Sequence, residues 1–169
     1  MSWDSLEFIC PECGSDECVP ASGDKKSPAL IVGAYPGHEE IKRGKPFVGG
    51  TGDIFQSELR KVGLALNQFR ITNLWLHAPN DSEECFAYSK QKVIQEAKGR
   101  KLVLLIGKDT VKEFTGEDVS TVNGLIVKSP LLSASILAMV QPTVVFHQSV
   151  GEVRFGIQMF AQELEKLDV

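Results

Sequence analysis

Short, wholly apolar runs recur along the chain and stop at glycine. Ala29-Leu30-Ile31-Val32 ends at Gly33, and Leu102-Val103-Leu104-Leu105-Ile106 ends at Gly107. Such runs fit strands buried on both faces. Phe69-Arg70-Ile71-Thr72, Leu125-Ile126-Val127 and the segment 143–146 are read as further strands. The stretches between them repeat at helical spacing. Ile54, Phe55, Leu59 and Val62 mark a helix over 51–62, closed by Gly63. A second helix runs over 85–97, with Ser82 as its N-cap and Glu83 and Glu84 in its first turn. A short helix over 109–114 ends at Gly116, and an amphipathic helix over 151–167 closes the chain. The stretch 35–52 holds five glycines and two prolines and reads as loop.

Apolar strands separated by helices predict an α/β three-layer sandwich, a parallel sheet covered by helices on both faces. In such sheets ligands bind beyond the carboxyl ends of the strands. The segments that follow Val32, Thr72, Ile106 and Phe146 therefore hold the candidate site. They carry Gly33-Ala34-Tyr35, the pair Glu39-Glu40, Phe47, Asn73, Gly107-Lys108 and His147-Gln148-Ser149. This mixture suits a planar heterocycle. Phe47 can stack on it, Asn73 can both donate to and accept from its edge, and His147 can stabilise a developing oxyanion.

The 169 residues and the 43% hydrophobic content predict a single domain over 1–169, with a Cys-rich arm over 1–28. No run approaches the roughly 20 apolar residues of a membrane span. Met1-Ser2-Trp3-Asp4 lacks the basic and apolar regions of a signal peptide. These features lead to the expectation of a soluble cytoplasmic monomer with no membrane partner. A net charge of −4 excludes charge-driven coating of DNA but leaves room for a local basic patch. No Walker-type phosphate loop is present, which argues against a nucleotide-triphosphate enzyme. Of the four cysteines, Cys10, Cys13 and Cys18 crowd into nine residues, a spacing that favours metal ligation over disulfides, with free structural thiols as the alternative. Cys10-Pro11-Glu12-Cys13-Gly14 has the form of a zinc knuckle.

Taken in order, these segments resemble the motifs of the iron–sulfur uracil-DNA glycosylases, called family four. The resemblance rests on Gly33-Ala34-Tyr35-Pro36-Gly37, Glu40, Gly44-Lys45-Pro46-Phe47-Val48-Gly49-Gly50-Thr51-Gly52, Ile71-Thr72-Asn73, Leu102 to Gly107, and Phe146-His147-Gln148-Ser149 with Arg154. It implies a four-stranded parallel sheet and an enzyme that binds DNA containing uracil or a modified base and hydrolyses the N-glycosidic bond. It assigns Gly33, Ala34, Tyr35, Phe47 and Asn73 to the base pocket. Glu40 stands beside the attacking water, and His147 stabilises the departing base. DNA contacts fall to Lys42, Arg43, Lys45, Ser149 and Arg154.

The pattern is broken in places. The family's acid after the first glycine is Ala34 here, its next glycine is Tyr35, and the final His-Pro-Ser loop is read at His147-Gln148-Ser149. A retargeted base, a special DNA context and a catalytically weakened binding relative are the readings these departures leave open. The resemblance also implies a four-iron, four-sulfur (4Fe-4S) cluster on four cysteines. Cys10, Cys13 and Cys85 match three of them, and the fourth position is His77. Either His77 or Cys18 completes the set, and three cysteines with one histidine is equally a normal zinc set.

Overall fold

A computed structural model describes residues 8–142 and 150–167. The two apolar runs are neighbouring central strands, β2 (Ala29–Gly33) and β4 (Leu102–Ile106), every residue of both buried. β3 (Arg70–Asn73) lies parallel on the far side of β2. β6 (Ser135–Met139) lies parallel on the far side of β4. Two-residue strands extend the edges antiparallel: β1 (Ser22–Gly23) on β3 and β5 (Ile126–Val127) on β6. The sheet therefore has six strands in the order β1-β3-β2-β4-β6-β5. The expected four-stranded parallel sheet is its centre, and the short edges were not anticipated apart from the Leu125-Ile126-Val127 run.

The fourth parallel strand corrects the sequence reading. It was expected over 143–146, which lies outside the described residues. Ser135-Ile136-Leu137-Ala138-Met139 forms it instead. Leucine, alanine and methionine are good helix formers, and only one β-branched residue marks the segment, so local propensity does not announce a strand. Burial between β4 and β5 decides its conformation.

The helices are α1 (His38–Arg43), α2 (Gly50–Lys61), α3 (Glu83–Ala97), α4 (Lys108–Thr115), α5 (Val119–Val122) and α6 (Gly151–Leu167). The chain runs from β2 to β3 in one direction and then steps back past β2 to β4 and β6, so right-handed crossovers place α2 on one face of the sheet and α3 and α4 on the other. Arg154 of α6 bonds Glu58 of α2, and Lys90 of α3 bonds Glu113 of α4. One ion pair thus joins each helical layer. No helix among the described residues is long and apolar enough to cross a membrane.

The segment 35–52 is not all loop. α1 lies within it, and α2 begins at its end. α1 buries none of its residues, so it carries no hydrophobic periodicity to read. It is set by its ends instead. Glu39 and Glu40 occupy the first turn, Lys42 and Arg43 the last, and Gly44 closes it with a left-handed φ of 70°. At α3 the expected cap is present: the Ser82 hydroxyl accepts from the Cys85 backbone N–H at 3.1 Å.

The N-terminal arm is fastened through a charged knot. Glu96 takes two hydrogen bonds from Arg70, at 3.0 and 2.9 Å, and one from Arg100 at 3.2 Å. Arg100 also donates to the carbonyls of Ser27 and Lys25. Burial pushes the Glu96 carboxyl up, but the two arginines outweigh it and hold the group below its ordinary value. A carboxyl depressed on folding stabilises the protein above its unfolded pKa of about 4.3, and that stability is lost as pH falls through the folded value. Glu96→Gln is therefore expected to lower Tm at pH 7 and to flatten the loss of Tm between about pH 5 and 3 relative to wild type. Thermal melts across that range check both.

Candidate active site and metal centre

Strand order reverses between β2 and β4, and a crevice opens beyond their carboxyl ends at this switch point. A cavity of about 360 Å³ occupies it, with Gly33, Ala34, Glu40, Phe47 and Asn73 in its lining. Asn73 ends β3 directly beside Gly33 in the register. A Cβ on Gly33 would collide with the Asn73 Oδ1 and stand 2.9 Å from the Phe47 ring. Glycine here is what lets an amide and an aromatic face meet over a strand end.

Phe47 is held in place by its backbone. It has φ 59°, the only positive φ outside glycine among the described residues. Its carbonyl accepts from Gln56 Nε2 at 2.8 Å, and its ring packs on Phe55 with centroids 5.2 Å apart. Gly52 lies so close that any Cβ there would overlap the Phe47 backbone. The Glu40 carboxylate rests between Gly37 and Gly49, where added Cβ atoms would come within 3.0 and 3.1 Å of its Oε2. The Gly-rich run is thus the mould around Phe47 and Glu40.

The remaining sequence candidates separate. Tyr35 borders the cavity but is 55% exposed, so it stands at the rim and does not plug the floor. Lys42, Arg43 and Lys45 are exposed around α1, with Arg43 paired to Glu39 at 3.5 Å. Arg154 does not reach the cavity, because Glu58 engages it at 3.2 Å between α2 and α6. His147 and Ser149 lie outside the described residues. The site segment was expected after Phe146, but the fourth strand ends at Met139, and Gln141 is the residue beyond it that lines the cavity. Lys108, named among the strand-end residues, lines it too, and so do Thr51 and Asp109, which were not singled out as site residues. Placing β6 correctly would have found Gln141.

On the arm side, the ligand atoms of Cys10, Cys13, His77 and Cys85 all lie within 4.8 Å of one another. Cys10 Sγ is 3.8 Å from Cys85 Sγ, and Cys13 Sγ is 3.7 Å from His77 Nε2. His77 Nδ1 lies 2.8 Å from the Ala78 carbonyl, a bond that puts the proton on Nδ1 and turns the Nε2 lone pair toward the thiols. Cys85 lies in the first turn of α3, where hydrogen bonding at Ser82 outweighs burial and, with Asn80, His77 and Cys10, holds the thiol down to about 6. Cys18 is not part of the group, and burial pushes its thiol up to about 12. Of the two fourth ligands left open by the sequence, the geometry brings His77 to the site. The donor set fits a bound metal.

Residues 20–160 match the sequence model of the Uracil DNA glycosylase superfamily. The chain belongs to that superfamily. Over 148 residues it is 29% identical to a Type-4 uracil-DNA glycosylase of Sulfurisphaera tokodaii, covering 75% of this chain and 66% of that protein. It is 33% identical over 66 residues to the Type-4 uracil-DNA glycosylase of Archaeoglobus fulgidus, covering 39% of this chain and 33% of the relative. With that of Pyrobaculum aerophilum it shares 32% over 83 residues, 44% of this chain and 42% of the relative. The chain thus spans no more than about two thirds of the curated relatives it matches. In this superfamily member the segment 74–85 follows Asn73 and carries His77 and Cys85 of the Cys–His group.

Metal binding and fold are expected to be linked. His77→Ala and Cys85→Ala should each lose bound metal. At metal a thousand-fold above its Kd, that removes about 4 kcal/mol of stability, or roughly 10 °C in Tm. Elemental analysis paired with thermal melting checks the link, and unchanged Tm in metal-free variants would break it.

Proposed function

We propose that this chain excises uracil, or a closely related modified base, from DNA by hydrolysing the N-glycosidic bond. The observation that carries the reading is the meeting of Phe47, Asn73 and Glu40 in one cavity at the switch point of a uracil-DNA glycosylase superfamily sheet. The relatives named as Type-4 uracil-DNA glycosylases support it. A base cannot be reached inside a duplex, so it enters this cavity flipped out. Phe47 stacks on its face, and the Asn73 amide pairs with its edge. Glu40 orients a water toward the sugar C1′ and favours the positive charge that grows there. The base leaves as an anion, and a hydrogen-bond donor aimed at its carbonyl lowers the barrier. That donor comes from the segment after β6, where His147 is the candidate read from sequence.

DNA docking falls to the rim of the cavity. The exposed Lys42, Arg43 and Lys45 supply phosphate contacts, and Ser149 and Arg154 are the further candidates read from sequence. Arg154 joins only by leaving Glu58. One folded unit over 1–169 carries this function, with the arm over 1–28 clipped on by the metal.

The group of three cysteines and one histidine is compatible with an iron–sulfur cluster. The spacing of its donor atoms favours a single tetrahedral ion such as zinc. With Zn–S bonds of about 2.3 Å, two thiolates on one ion stand about 3.8 Å apart, and the Cys10–Cys85 separation is 3.8 Å. A four-iron cube carries its ligands on separate corners, farther apart. The metal braces the arm against the core and takes no part in the hydrolysis. One zinc per colourless chain is the expected analysis, and visible absorption with iron and sulfide would reverse the assignment.

Single-turnover excision from uracil-containing oligonucleotides tests the activity. Glu40→Gln should slow it by about 10²-fold or more. Asn73→Asp should shift the preference toward cytosine, whose exocyclic amine a carboxylate accepts. Equal rates and preferences in wild type and both variants would refute the mechanism.

A further inference from the structure

A second cavity, of about 280 Å³, shares no lining residue with the base cavity. It lies between β3 and α3, and Pro20 and Ala21 of the arm border it. Successive residues of a strand face opposite sides, so Arg70 and Thr72 share the face of β3 from which Arg70 bonds Glu96 of α3. The lining is positive on a chain of net charge −4. Arg70, Arg100, Lys92 and Lys98 stand there against one carboxylate, Glu96, which the two arginines already neutralise. Lys92 and Lys98 form no ion pair among the described residues. Lys92 Nζ instead lies over the Tyr88 ring, 5.5 Å from its centroid. A concave wall of one sign concentrates ions of the other. Two hydroxyls complete the lining. Thr72 is 2% exposed, yet its hydroxyl makes no hydrogen bond among the described residues. Valine would fill nearly the same space in the strand with no polar group to satisfy, so the cavity is where this hydroxyl finds a partner. The half-buried Tyr88 brings a phenol that likewise makes no hydrogen bond among the described residues.

We propose that this second cavity binds a small sugar phosphate, its phosphate dianion met by Lys92 and Lys98 and its oxygens accepting from the Thr72 and Tyr88 hydroxyls. Two unpaired ammonium groups match a dianion better than a single carboxylate, and lysine meets phosphate as a point charge with no fixed geometry. The volume stands just below the range of about 300–1,000 Å³ typical of small-molecule sites, which suits a ligand of monosaccharide size and is too small for a dinucleotide. Lys92 covers one face of the Tyr88 ring, so that face is not open to a stacking base. Gln95 also lines the cavity, and its amide can both donate to and accept from sugar hydroxyls. The site is separate from base excision in both residues and chemistry. Its walls belong to the elements that carry the Cys–His group: the arm, Leu76 beside His77, and α3 with Cys85 in its first turn. A ligand held there bridges the arm to α3 and raises Tm by mass action.

The experiment titrates the whole chain, as purified, with ribose 5-phosphate, inorganic phosphate, ribose and succinate by calorimetry. Low salt and about pH 7.5 keep the phosphomonoester a dianion. Ribose 5-phosphate should bind at one site, inorganic phosphate more weakly at the same site, and ribose not measurably. Lys92→Glu combined with Lys98→Glu, both on exposed positions, should weaken ribose 5-phosphate by more than about 10-fold. Thr72→Val and Tyr88→Phe should each weaken it by about 3–10-fold. Glu40→Gln, at the base cavity, should bind as wild type. Thermal melting identifies the folded variants, and Thr72→Val and Tyr88→Phe keep nearly the native volume if the charge reversals do not fold. No binding by the wild type would overturn the proposal, and so would ribose or succinate bound as tightly as ribose 5-phosphate. Wild-type affinity in the lysine and hydroxyl variants would overturn it as well. A loss confined to the lysine variant would mean attraction to surface charge alone, and a loss in Glu40→Gln would move the ligand to the base cavity; either result overturns it. Base excision stands or falls separately, on the excision rates.

Discussion

The close approach of three segments at Gly33 is the constraint on which the site depends. A parallel pair puts Asn73 beside Gly33, and only the absence of a side chain there lets the Asn73 amide and the Phe47 ring share the space above the strand end. The same economy operates one layer out. Phe47 tolerates a left-handed backbone because Gly52 allows α2 to begin against it and Gln56 bonds its carbonyl. The cavity is therefore a property of packing between β2, β3 and α2. A methyl group at Gly33 would press on the Asn73 amide and the Phe47 ring, and one at Gly52 on the Phe47 backbone.

Behind the cavity, the segment from Leu74 to Cys85 links recognition to the metal group. The Leu74 and Trp75 N–H groups bond the carbonyls of Gly33 and Ala34, and Leu76 accepts from Val19 of the arm. His77 and Cys85 then close the ligand set with Cys10 and Cys13. A metal held there would join residues about seventy positions apart in sequence, and its binding free energy would add to the stability of the folded arm. The end of β3 at Asn73 is thus braced from the side away from the cavity.

Electrostatics follow the same division of labour. The chain is net acidic, and several of its basic residues are committed internally: Arg70 and Arg100 to Glu96, Lys90 to Glu113, Arg154 to Glu58. Around the cavity the exposed charges are those of α1, with Lys42 and Arg43 at its end, and Lys108 and Asp109 at the start of α4.

The sequence by itself determined the layers. β2 and β4 were legible because strands buried on both faces must be apolar throughout, and α6 because one face of a long helix must be. Glu40, Phe47 and Asn73 were legible because parallel topology sends strand ends to one edge and these residues stand just past them. Cysteine spacing announced a metal group. Tertiary structure decided what local pattern does not encode. α1 buries nothing and so left no periodicity. β6 is written in helix-forming residues and becomes a strand because β4 and β5 leave it no other place. That misplacement moved the expected end of the sheet from Met139 to Phe146, so Gln141, which lines the cavity, was passed over. The choice of His77 over Cys18 was likewise a matter of which side chain the fold brings within 4.8 Å of three thiols, a distance between segments that sequence spacing does not contain.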